Sequence, residues 1–276
     1  MDSEKEIKEI VRDKYAQIAV GAEKGLHSSC CGEGAKSKAA SSCGCGGSEL
    51  TDFSDDYTKL KGYSADADLN LGCGVPTKHA GIKEGDTVVD LGSGAGNDVF
   101  VTRAIVGDKG KVIGLDMTEE MIAKAEKNNA KLGYKNVEFK LGEIEDMPLP
   151  DNFADVVISN CVLNLVPNKG KAFSEIYRVL KKSGHFCISD IVTKGELPEK
   201  TKKSAELYAG CISGALKEED YLGVIEAAGF KDISIKIRKP IDIPAEILDG
   251  LNEAEINRFK NGEIGLSSIT VVANKK

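Results

Sequence analysis

A buried-type strand that runs straight into a glycine-rich turn constrains this 276-residue chain more than any other feature. Thr87-Val-Val-Asp90 leads into Leu-Gly-Ser-Gly-Ala-Gly96, and helical patterning follows. Gly92, Gly94 and Gly96 let the backbone turn tightly and approach a ligand with no Cβ in the way, which predicts a cradle for a nucleotide-like cofactor. The spacing is G-x-G-x-G with an acid at the strand end, whereas the dinucleotide fingerprint is G-x-G-x-x-G. A carboxylate at Asp90 repels a pyrophosphate and suits a cationic amino-acid moiety, so the turn, with Ser93 inside it, points to S-adenosylmethionine.

The pattern beyond the turn alternates. Residues 111–115 read as a strand, 118–132 as a helix, 137–141 and 154–159 as strands, 169–180 as a helix and 185–192 as a fifth strand. Helix 118–132 lacks a capping box, although Glu119 and Glu120 suit its N-terminal dipole. Such alternation predicts a doubly wound α/β sheet. Past Thr193 the regularity loosens into a helical stretch through Tyr208 and Cys211, a helix over 218–228 and strands over 233–237 and 268–273. A mixed apolar and charged insertion, 240–262, lies between these last two strands.

Two further strand ends carry the chemistry of the same pocket. Asp116 closes the second strand about twenty residues after the glycine turn, where an acid accepts hydrogen bonds from ribose hydroxyls, and Met117 beside it can cover one adenine face. Gly142-Glu-Ile-Glu-Asp-Met-Pro148 closes the third, offering the Glu143 carboxylate to an adenine amine and the Ile144 backbone as an edge contact. Capping of turns would explain Asp90 or Asp116 alone. Three motifs at consecutive strand ends make that explanation weak.

Eight cysteines are placed unevenly. Cys30, Cys31, Cys43 and Cys45 crowd a stretch, 25–47, of Gly, Ser, Ala and Lys that cannot bury enough apolar surface to hold a fold and is expected to be a mobile arm. Before it, Ile7, Ile10, Val11, Tyr15 and Ile18 make the stripe of an amphipathic helix. The first residues are densely charged with no apolar core of a signal peptide, and no apolar run is long enough to span a bilayer, so a soluble cytoplasmic protein is expected. Thiols stay reduced there, which favours metal, metalloid, catalytic or buried cysteines over a disulfide framework. A formal charge of −7 with no basic run argues against a nucleic-acid partner.

Asp90–Gly96, Asp116 and 142–148 resemble the class I methyltransferases that depend on S-adenosylmethionine. Within that superfamily Leu71-Gly-Cys-Gly74, Ser159-Asn-Cys-Val162 with Asn164-Leu165, and Tyr208-Ala-Gly-Cys-Ile212 are similar to the arsenite methyltransferases, over roughly residues 63–216. The resemblance implies a Rossmann-like sheet of seven strands in the order 3-2-1-4-5-7-6. It divides the chain into an N-terminal helix and arm (1–60), a cofactor and arsenic domain (61–195) and a closing segment that completes the sheet (196–276).

The implied substrate is arsenite. Trivalent arsenic is soft and pyramidal and favours three thiolates, which makes Cys73, Cys161 and Cys211 the expected ligands. Each alone can be a buried small hydrophobe, as Cys187 in its strand is expected to be. Zinc is the rival for the set, yet its sites usually show a C-x₂₋₄-C knuckle and four ligands. The arsenic lone pair is expected to take the methyl group in line with no general base, and none of the three histidines sits in a recognisable triad. Oxidised arsenic is then restored by thiols, with thioredoxin or glutathione as the outside reductant; the arm cysteines can capture arsenic, pass it inward, act as an internal reductant or form an adventitious metal-binding tail, and Cys45 is chosen over Cys43 for the turnover role. Asn160 and Asn164 flank Cys161 and can orient the cofactor or its loop by hydrogen bonds, or can be turn chemistry; Asn160 is counted among the cofactor-binding residues. Methylation of another small acceptor, or metalloid binding without catalysis, are the alternatives.

Overall fold

The computed structural model describes residues 4–23, 56–202, 211–212, 214–243, 245–248 and 250–276. The expected arm with Cys30, Cys31, Cys43 and Cys45, and the helical stretch up to Tyr208, lie outside the described residues. Helix α1 (Glu4–Glu23) comes first. Then follow β1 (Thr87–Leu91), α2 (Asn97–Val106), β2 (Lys111–Asp116), α3 (Glu119–Leu132), β3 (Val137–Leu141), β4 (Ala154–Asn160) and α4 (Lys169–Val179). The remainder is β5 (Leu180–Lys194), α5 (Glu199–Lys202), α6 (Glu218–Ala227), β6 (Lys231–Ile241), α7 (Ala245–Leu248), α8 (Glu253–Lys260) and β7 (Gly265–Asn274).

The seven strands form one sheet in the order β3-β2-β1-β4-β5-β7-β6, the order the resemblance implied. Strands β1 to β5 run parallel, with Val89 beside Ile113 and Val157, because each is reached by a crossover. Strand β7 is antiparallel to both of its neighbours. Alternate residues of β1 feed opposite faces. Val89 and Leu91 join Phe173 and Ile176 of α4 and Tyr221 and Ile225 of α6, whereas Val88 joins Val99 and Phe100 of α2. Both faces of the sheet are therefore covered, which is why the central strands read as continuous apolar runs. Cys187 is fully buried on the α2 side and donates its thiol proton to the Pro76 carbonyl at 3.3 Å.

Several elements differ from the sequence expectation, each for a physical reason. Strand β5 starts at Leu180 rather than 185, since Leu180 already pairs with Ala154 ahead of an irregularity in register. Strand β6 runs through Pro240 to Ile241; it is the edge strand, where a residue without an N–H is tolerated. The rest of the 240–262 insertion carries α7 and α8. Asn252 and Glu255 close a reciprocal capping box at the start of α8.

These two short helices complete a third apolar cluster, distinct from the two just described. Ile247 of α7 and Phe259 of α8 pack there with Val11 of α1, Leu165, Ile191, Ile212 and Leu266. Burying side chains of this size stabilises the fold by about 1.5–3 kcal/mol each. Cys73, Cys161 and Cys211 belong to the same cluster.

Candidate active site

The glycine turn leaves β1 and opens α2. Gly92 has φ +66°, and a Cβ there would lie 2.4 Å from the Val162 side chain. Gly94 has φ +51° with nothing closer to its Cβ position than the Met121 sulphur at 4.0 Å, so the inner side of the turn stays open. Gly92 and Ser93 donate their N–H groups to Leu115 O, tying the turn to the end of β2. A cavity follows this surface, lined by Asp90, Gly92, Ser93, Gly94, Asn97, Asp98, Asp116, Asn160 and Cys161.

The walls of the cavity are acidic. Asp90 is 2 % exposed, and no hydrogen-bond or ion-pair partner reaches its carboxyl among the described residues. Burial, with Asp98 and Asp116 nearby, pushes its pKa well above the usual carboxylate range. Burial also raises Asp98 to about 6 and raises Asp116. Two polar atoms beside these acids, Ser93 Oγ and Asn97 Oδ1, are buried without partners. A cluster of unneutralised carboxyls and orphaned polar atoms fits a cationic, amino-acid-bearing cofactor.

Asp116 is partly engaged already. Its Oδ2 accepts from Gly94 N and its Oδ1 from Thr118 N, both at 2.9 Å, which aligns the carboxylate while leaving lone pairs for ribose hydroxyls. Met117, Glu143 and Ile144 border a second, mostly apolar cavity that also touches Asp116 and Val162. The Glu143 carboxylate there accepts from Lys8 Nζ of α1 at 2.7 Å, and the same ammonium pairs with buried Glu145.

The three thiols come from three remote segments. Cys161 follows β4 directly, Cys73 sits in the loop ahead of the 3-10 turn Pro76–Lys78, and Cys211 lies in a turn rather than in the expected helix. All three are buried. The neighbouring thiols of Cys211 and Cys73, with burial added, push the Cys161 pKa well above the usual thiol value. Burial likewise raises Cys73. The three thiols share one apolar cluster, and no group of three metal-ligating side chains among the described residues already surrounds a common centre.

Cys161 and Cys211 share an unusual backbone. Their φ angles are +61° and +65°, in the left-handed region that non-glycine residues avoid at a cost of about 1–3 kcal/mol each. Specific contacts hold them there. Cys161 N donates to Ser189 O at 2.7 Å, and Cys211 Sγ donates to Cys161 O at 2.8 Å. Asn164 is fully buried, and its amide donates to Ile191 O at 2.7 Å and Cys211 O at 3.2 Å, stitching the Cys211 turn to β5.

Asn160 does the equivalent for Cys73. Its Oδ1 accepts from Cys73 N at 3.1 Å, while its Nδ2 donates to Gly74 O at 2.8 Å and lies within reach of Tyr57 Oη and Asp98 Oδ2. Tyr57 completes the knot by donating to Asp98 at 2.9 Å. Asn160 lines the cofactor cavity, yet its amide is largely spent on the Cys73 loop and on Asp98. From the far side Ser268 of β7 donates to Cys73 O at 2.6 Å.

Comparison with known proteins agrees with this geometry. A methyltransferase domain family matches residues 82–229. An arsenite methyltransferase from Halobacterium salinarum is 41 % identical over 83 % of this chain and 59 % of its own length. Its human namesake is 40 % identical over 52 % of this chain and 40 % of its own. The crystal structure of an arsenic(III) S-adenosylmethionine methyltransferase from Chlamydomonas reinhardtii superposes with a TM-score of 0.62 at 35 % identity, covering 80 % of this chain and 71 % of the other. The chain belongs to the arsenic(III) S-adenosylmethionine methyltransferase family. It spans about three fifths or less of the curated arsenic methyltransferases it matches. No helix among the described residues is long and apolar enough to cross a membrane.

The sequence reading left out four side chains that the fold brings to the site. Asp98 directly follows the glycine turn and carried a legible signal there. Tyr57 sits in a polar stretch with none. Tyr15 and Lys8 lie on the stripe of an amphipathic helix, where only the packing of α1 against the cavities reveals a role.

Proposed function

We propose that this protein transfers methyl groups from S-adenosylmethionine to trivalent arsenic held by Cys73, Cys161 and Cys211. The observation that carries the reading is the meeting of three buried thiols with a cavity whose acid, Asp90, has no partner of its own. When bound, S-adenosylmethionine supplies a methyl group on a cationic sulphur. Asp90, Gly92, Ser93, Gly94 and Gly96 hold its amino-acid end, Asp116 its ribose, and Met117, Glu143 and Ile144 its base, with Asn160 bracing the loop between cofactor and thiols.

The thiols do the rest. They replace the hydroxyls of arsenite, keep the metalloid soft and electron-rich with its lone pair free, and hold it in an apolar cluster from which water is excluded. Accepting a methyl group raises arsenic formally from the trivalent to the pentavalent state, and two thiols forming one disulfide return the two electrons. Cys45 of the arm is assigned to that step, and a small thiol or thioredoxin-type protein reduces the disulfide by exchange. Such chemistry belongs in a reducing, cytoplasmic setting.

The test is conversion of arsenite by the purified protein with S-adenosylmethionine and a thiol reductant, followed by separation of the arsenic species. Mono- and dimethylated products are expected. Cys161→Ser is expected to lower the first methylation by about three orders of magnitude or more, as for loss of a group that holds the reacting atom, and to leave cofactor affinity within twofold. Arsenite recovered unchanged from the wild-type protein refutes the assignment.

A further inference from the structure

Helix α1 presents Lys8, Val11 and Tyr15 at intervals of three and four residues, one face of a helix. Lys8 meets Glu143 and Glu145 at the second cavity. Val11 is 1 % exposed among the three cysteines. Tyr15 lines the cofactor cavity together with Asp116 and Cys161 and packs against the cluster that contains the Cys211 thiol. The Cys211 proton already points at Cys161 O, 2.8 Å away. A thiol has one proton, so toward a phenol O–H beside it the Cys211 sulphur can only accept.

This puts a hydroxyl donor on the cavity wall beside the thiol that must capture arsenic. The nearby ammonium of Lys169 is turned away, donating to the carbonyls of Asn164 and Val166. We propose that Tyr15 is a substrate-contacting residue of arsenic capture, its hydroxyl donating a hydrogen bond to an arsenic-bound hydroxyl oxygen while the Cys211 thiol displaces that oxygen. In the step the S–H bond of Cys211 and one As–O bond break and an S–As bond forms. The thiol proton goes to the departing oxygen, which leaves as water. Arsenic stays trivalent and Tyr15 keeps its proton.

The inference rests on the arsenic reading above, and its test separates the two. Capture is followed by rapid-mixing ultraviolet absorption of the arsenic–thiolate bonds, with arsenite or with preformed tris-glutathione arsenic as donor. Hydroxide is a poor leaving group that needs help, whereas a thiolate of lower pKa leaves without it. Tyr15→Phe keeps the ring, and it is expected to slow capture from arsenite by about 10- to 100-fold, in the range of a lost proton-bearing contact at a reacting atom. Capture from the glutathione complex, cofactor affinity and thermal midpoint are expected to stay within twofold or unchanged. Val11→Ala, which loosens the helix and spares the hydroxyl, is expected to slow both donors alike. Equal rates for Tyr15→Phe and wild type, or equal slowing with both donors, overturn the role of Tyr15. A wild-type protein that captures arsenic from neither donor overturns the arsenic reading itself, and this inference with it.

Discussion

The cofactor half and the thiol half of the site are built in opposite ways. The cofactor half comes from consecutive strand ends, β1, β2 and β3, each followed by its own short motif, and its backbone is eased by glycines at Gly92, Gly94 and Gly96. The thiol half draws single residues from segments up to 138 positions apart, Cys73 and Cys211, and sets two of its cysteines in left-handed conformations with no glycine to ease them. Local chemistry shapes the first. Long-range hydrogen bonds from Asn160, Asn164 and Ser268 shape the second.

If the halves are separately built, they should be separately breakable. After Cys161→Ser, the largest effect is expected from Asp90→Asn. Loss of the carboxylate facing a cation should weaken S-adenosylmethionine binding by roughly 10- to 100-fold by calorimetry, while arsenic affinity stays within twofold. The thermal midpoint of the free protein should rise, because a buried acid without a partner has been removed. An unchanged cofactor affinity would disconnect Asp90 from the cofactor.

Asn164→Ala probes the other half. It strips the donors from Ile191 O and Cys211 O at a cost of about 1–3 kcal/mol, and the Cys211 turn should lose its hold. Weaker arsenic binding with cofactor affinity intact is expected by titration. Equal loss of both ligands would show that the two halves are one cooperative unit.

The smallest effect is a pH dependence. Burial raises Asp98 to about 6 and Asp190 to about 7 from an ordinary 3.8, so the fold favours their protonated forms. Their contribution to stability is fully present below about pH 4 and is lost as the pH rises through 6 to 7. The unfolding midpoint should therefore fall across that window, and less so in Asp190→Asn. A slope unchanged by that substitution would remove Asp190 as its source.

The same contrast explains what the sequence disclosed. The glycine turn, Asp90 and Asp116 were legible because strand, turn and acid lie within a few residues of each other, whereas the sheet order entered through the resemblance. The convergence of Cys73, Cys161 and Cys211 entered only through resemblance, since no local pattern records contacts between remote segments. Asn164 was read either as orienting the cofactor or its loop or as turn chemistry, and nothing near it in the sequence chooses between the two. Its role depends on two carbonyls, at Ile191 and Cys211, that only the fold brings together. Tyr15 shows a different limit, since an aromatic on an apolar stripe looks the same whether it faces core or ligand.

Ser268 adds a consequence in time. It lies in β7, and it pins Cys73, 195 residues earlier. On the ribosome β1 to β4 and the glycine turn emerge and can pair well before β7 exists, so a nascent chain has the makings of a cofactor cradle while its first cysteine still lacks that anchor. On the reading proposed above, the assembled thiol site is thus among the last things this protein makes.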